Sequence, residues 1–155
     1  MRVAVIAPAL AMVSVGRGQV LESKTFETVG HPTEALATAD GEYVLLTVNM
    51  GRGGSPSSGI EVFAVDGEKL KELAVQALGA ENPQGIVLLP GSKPEMLALG
   101  LSKAGVAFLP LAETLIGGAK VEVLTQGEQS GTGYLAVSPE GQFLFAANEY
   151  SVGMN

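Results

Sequence analysis

Three side chains carry most of the reactive chemistry available to this chain of 155 residues: His31, Arg52 and Glu149. A histidine or a carboxylate can take a proton from water, and a guanidinium can hold a developing oxyanion. Together these are the ingredients of a hydrolytic site. Asn49, Asn82, Lys103 and Asn148 add polar groups of the kind that orient a ligand. Each also has a plainer reading. His31 precedes a proline and can serve as a packing or hydrogen-bonding residue, the asparagines can bond local backbone, and Arg52 lies in a Gly/Ser loop open to solvent. One histidine and scattered acids do not form a metal-ligand set, so no metal is expected. No cofactor is expected either. Gly51-Arg-Gly-Gly54 lacks the strand–turn–helix setting of a phosphate cradle.

The elements that must position these groups are written as a repeat. Tyr134 to Val137 is a short apolar run, Ser138-Pro-Glu-Gly141 is turn chemistry, and Gln142 to Ala147 is a second apolar run. Ala35 to Asn49 matches Leu135 to Glu149 without a gap, with Gly41 on Gly141, Glu42 on Gln142 and Asn49 on Glu149. A weaker copy runs from Gly85 to Ser102, with Glu95 on the same position as Glu42. Two further strand-like segments follow each of the first two copies. Each unit therefore holds strands A, B, C and D, and a period of about 50 residues with four strands is that of a propeller blade.

Strands are expected over 19–29, 34–38, 42–49, 59–65, 69–77, 85–89, 95–101, 105–110, 119–126, 134–137 and 142–148. Residues 31–79 and 81–128 form two blades, 131–155 form half of a third, and 19–29 supplies a lone D strand of the sort that closes a ring. Alternate connections share an end, so D–A and B–C loops bring His31, Asn49, Arg52, Asn82, Lys103, Asn148 and Glu149 to one face. The A–B turns lie on the other. This inventory does not close a ring by itself, so the remaining blades are expected in the same chain or from partner copies.

Composition narrows the function classes. Acids outnumber bases 16 to 9, giving a net charge of −7 with no basic cluster, which disfavours nucleic acid and anionic membrane surfaces. There is no cysteine, hence no disulfide and no thiolate chemistry. Twenty-one glycines suit many short strands joined by tight turns, and the lack of tryptophan speaks against WD-signature blades. Residues 1–18 open with one arginine and an apolar run ending near Ala9-Leu-Ala11. That is the form of a short secretory signal, or else an apolar edge strand; the run is too short to span a bilayer.

Ser138 to Tyr150 and Ala39 to Asn49 resemble the repeats of the YVTN-type, lactonase-like β-propeller family, whose A–B turn reads S-P-D-G and whose strand B reads roughly Y-V-x-N. The resemblance covers residues 19–155 and departs from the pattern at Gly100-Leu-Ser102. It implies an all-β fold of four-stranded antiparallel blades in a larger ring of about seven. It also implies an exported protein, periplasmic or secreted, or cytoplasmic if the N-terminus is not a signal. The expected role is a binding scaffold for a small molecule, glycan or protein. The alternative is a lactone hydrolase using His31, Arg52 and Glu149.

Overall fold

The computed structural model describes residues 9–13, 23–49, 58–67, 69–79, 81–102, 104–124 and 131–150. The described residues are all-β apart from one helical turn. Strands β1 (Ala9–Val13) and β2 (Ser23–Glu27) pair antiparallel. Then come β3 (His31–Ala37), β4 (Tyr43–Asn49), β5 (Gly59–Asp66) and β6 (Lys69–Ala77), a four-stranded antiparallel sheet in sequence order. A second sheet of the same order contains β7 (Pro83–Leu89), β8 (Met96–Leu101), β9 (Gly105–Pro110) and β10 (Glu122–Leu124), with the helical turn α1 (Leu111–Thr114) between its last two strands. Strands β11 (Gly131–Val137) and β12 (Leu144–Tyr150) form a third, two-stranded sheet. Strand β2 lies inside the expected 19–29 segment, but it is not alone: its partner β1 falls within the first 18 residues.

The first and third inner hairpins are built alike, and the second shares their left-handed glycine. Gly41, Gly91 and Gly141 have φ of 74°, 73° and 70°, a region where a Cβ is penalised. The Thr38 and Ser138 amides donate to the carbonyls of Tyr43 and Phe143, and their hydroxyls accept from the amides of the same two residues. Glu42 and Gln142 therefore occupy the same place in their turns. The first strand of each hairpin also carries one extra residue opposite its partner, at Thr33, Gln84 and Gly133. Such a bulge re-aims a side chain or backbone group away from its own ladder. Here it points Thr33 at the second sheet, where its hydroxyl bonds the Pro83 carbonyl at 3.1 Å.

The three sheets follow one another face to face through these inner strands. β7 packs against β3 and β4, and β11 packs against β7 and β8. The main core lies between the first two sheets and joins Leu45, Ile60 and Val62 to Ile86, Leu97, Leu99, Leu101 and Leu109. Central strands β4, β5, β8 and β9 are buried on both faces, which their continuous apolar runs allow. Strand β3 alternates exposed and half-buried residues because one of its faces looks away from the second sheet. Polar ties cross between sheets: the Ile86 amide donates to Glu34 Oε2 at 2.9 Å, and Gln76 exchanges two bonds with the Ala119 backbone. Among the described residues no helix is long and apolar enough to cross a membrane.

Glu61, mid-strand in β5, is fully buried beside the small cluster of Leu46, Val48 and Phe63. Its Oε2 accepts from the Val29 amide at 3.2 Å, and its Oε1 has no partner. Burial, reinforced by the nearby negative charge of Glu72, raises its pKa against the opposing pull of the Val29 amide. A raised folded-state pKa contributes stability that is complete below the unfolded value of about 4.3 and is lost as pH rises through the folded value. Glu61→Gln keeps the acceptor for Val29 and removes that dependence. The variant is expected to be more stable than the parent by about 1–2 kcal/mol at pH 8, with the gap narrowing toward pH 4.5. Urea melts of the two proteins at both pH values check this, and a gap that does not change with pH would count against it.

Candidate functional site: the loop end of the sheets

Strand polarity brings the starts of β3, β7 and β11 and the ends of β4, β8 and β12 to one end of the sheets. The tight turns at Gly41, Gly91 and Gly141 take the other. His31 opens β3, is exposed, and lies opposite Asn49, the last residue of β4. Asn49 is half-buried, and its Oδ1 is shielded from solvent without a hydrogen-bond partner. Asn82, just before β7, is a tie between sheets. Its Oδ1 accepts from the Ser58 hydroxyl at 2.6 Å, and its carbonyl accepts from the Ser102 amide at 2.9 Å. Asn148 is exposed on β12 and accepts from the Thr132 hydroxyl at 3.3 Å. Arg52 and Lys103 lie outside the described residues. So does the side chain of Glu149, whose backbone belongs to β12.

The structure thus brings Asn49 and Asn82 to adjoining sheets at one end, with Ser58 between them. Strand register places Val48 opposite Gly59, so Ser58 follows on beside Asn49 while bonding Asn82. Ser102, at the repeat position of Asn49, repeats its feature: its hydroxyl oxygen is also shielded and without a partner. Oε2 of Glu81, next to Asn82, is a third such atom. Ser58, Glu81 and Ser102 were not singled out from the sequence. Only the repeat alignment of Ser102 with Asn49 could have drawn attention to one of them. Shielded polar atoms in folded proteins nearly always have partners, and each exception asks for an explanation. Asn49 Oδ1 and Glu81 Oε2 lack a hydrogen-bond donor, and the Ser102 hydroxyl, which can both donate and accept, lacks a partner of either kind.

The turn end has its own concavity, a cleft of about 360 Å³ between the first two sheets. Tyr43, Leu88 and Leu115 form its apolar lining, and Asp40 and Glu95 line it as well. The Thr38 hydroxyl and then the Glu42 amide hold the Asp40 carboxyl below its usual range. Among the described residues no three acidic, histidine or cysteine side chains converge as a metal-ion set. Comparison of the sequence with protein-family models and with curated proteins finds no match in either.

Proposed function

We propose that this chain is the blade-forming part of an exported β-propeller that acts as a binding scaffold, holding a small hydroxyl-rich ligand such as a glycan at the loop end. The observation that carries this reading is the set of partnerless shielded oxygens, Asn49 Oδ1, Glu81 Oε2 and Ser102 Oγ, gathered at that end. A shielded acceptor without a donor costs about 1–3 kcal/mol, which a sugar hydroxyl would offset once this end opens to admit it. The repeated hairpins, with a bulge in register in all three and the same hydroxyl-capped turn in the first and third, support the propeller reading.

The test is an NMR titration of the protein with mono- and oligosaccharides, beside Asn49→Ala and Ser102→Ala. Each variant is expected to weaken binding about tenfold. Ser102→Ala is not expected to lower the melting temperature, because the oxygen removed has no partner to lose. An Asn49→Ala protein that binds as tightly as the parent but melts lower would make Asn49 a structural residue and sink the proposal. Sugar lactones belong in the same panel: turnover that disappears in His31→Ala would replace the scaffold reading with hydrolysis. Export is checked by secretion from cells and by the mass of the mature N-terminus.

A further inference from the structure

The cleft at the turn end lies away from the loop end and shares none of its residues. The turn after β3, strand β7, the turn before β8 and the helical turn α1 wall it. Its floor is the open end of the main core, where Tyr43, Leu88 and Leu115 are half-buried and Leu111 is buried. The wall made by α1 is pinned, because the Leu111 amide donates to the Glu95 carbonyl at 2.8 Å. At about 360 Å³ the cleft has the size of a small-molecule site. Two carboxylates, Asp40 and Glu95, stand exposed at its rim. Asp40 is held in place: its Oδ1 accepts from the Thr38 hydroxyl and, at 2.9 Å, from the Glu42 amide. Among the described residues its Oδ2 makes no hydrogen bond, and neither does the Glu95 carboxylate. Neither group forms an ion pair there, not even with Lys93, close by in sequence.

We propose that this cleft binds a small organic amine in its protonated form, its apolar body on the Tyr43, Leu88 and Leu115 floor and its ammonium at the two rim carboxylates. The ligand class follows from complementarity. An apolar body removes the half-buried floor from water. A neutral group at the rim would displace water from two carboxylates and return no charge to them. An anion would meet both carboxylates on a chain of net charge −7. A cation satisfies both ends of the cleft at once. The rim is open to solvent, so each carboxylate contributes modestly. An amine of about nine non-hydrogen atoms is therefore expected to bind with a Kd of about 0.1–1 mM. This site rests on neither the propeller reading nor the sugar site at the other end.

An amide-resolved NMR titration of the full chain with phenethylammonium tests this, with phenethyl alcohol and phenylacetate as neutral and anionic probes of similar shape. The expected result is a saturable shift centred on the amides of Thr38, Gly41, Glu42 and Leu115. The alcohol should bind about tenfold more weakly, and phenylacetate should not bind up to about 20 mM. Ethylammonium keeps the charge without the ring and should also lose about tenfold. Asp40→Asn and Glu95→Gln should each weaken the amine about three- to fivefold and leave the alcohol unchanged. Asparagine keeps an acceptor for Thr38 and Glu42, and the Glu95 side chain bonds nothing in the fold, so both variants should melt close to the parent. If Asp40→Asn nonetheless melts lower, Glu95→Gln carries the test. No saturable shift with the amine up to about 20 mM would overturn the proposal. So would an alcohol that binds as tightly as the amine, shifts centred away from the cleft, or amine binding indifferent to Glu95→Gln.

Discussion

Leu99→Ala is expected to lower unfolding stability by about 3–5 kcal/mol, the loss of a fully buried leucine whose cavity cannot collapse. Leu99 has no solvent exposure and belongs to the cluster shared by the first and second sheets. Strand β8 is flanked by β7 and β9, so its backbone cannot move inward to fill the space without breaking two ladders. The cavity term should therefore stay large. Leu73→Ala is the control: Leu73 is 44% exposed on β6, and about 1 kcal/mol or less is expected there. Against a typical total of 5–15 kcal/mol, the Leu99 change removes a substantial fraction of the stability. Because Leu99 meets Leu45 and Ile60 in one cluster, both sheets should melt in a single, earlier transition in urea. Two separated transitions would mean that the sheets are independent units.

Sequence reasoning reached the hairpins because their information is local. Asp40-Gly41 and Glu140-Gly141 specify the left-handed glycine, and the hydroxyl two or three residues earlier caps the turn. The weaker middle copy keeps a left-handed glycine, Gly91, but departs from the rule: its capping hydroxyl comes after the glycine, where Ser92 accepts from the Met96 amide. The loop-end placement of His31, Asn49, Asn82 and Asn148 was legible for a similar reason, since it needs only strand count and parity. Features that depend on distant chain were not. Glu61 is the one charged residue within the apolar stretch 59–65 and gives no sign that the Val29 amide, far away in sequence, bonds it. The Ser58–Asn82 bond that fixes the candidate site joins two sheets, so no spacing within either unit encodes it. The apolar run at Ala9–Val13 suits a leader as well as a strand, and its pairing with Ser23–Glu27 is a contact that the run itself does not encode. The helical turn at Leu111–Thr114 has no periodic signature, because four residues are too few to show one.

Gly100→Ala tests the contact that stacks the third sheet on the second, and a loss of about 2–3 kcal/mol is expected. In a strand interior alanine should otherwise help slightly, since glycine is costly there, so a loss has to come from the neighbour. A Cβ on Gly100 would stand 2.8 Å from the carbonyl oxygens of both Thr132 and Gly133. Those are backbone atoms of β11 and cannot rotate away as a flexible side chain would. Gly85→Ala meets the same Gly133 carbonyl at 2.7 Å and should cost a similar amount. The decisive measurement is the double variant. Once β11 has been pushed off by one methyl group, the second has less to displace, so the combined loss should fall short of additivity by about 1 kcal/mol or more. Gly118→Ala, whose Cβ would meet nothing closer than 3.8 Å, should leave the melt nearly unchanged. If Gly85→Ala and Gly100→Ala proved harmless, or strictly additive, the close approach of β11 to β7 and β8 would not be what holds the third sheet in place.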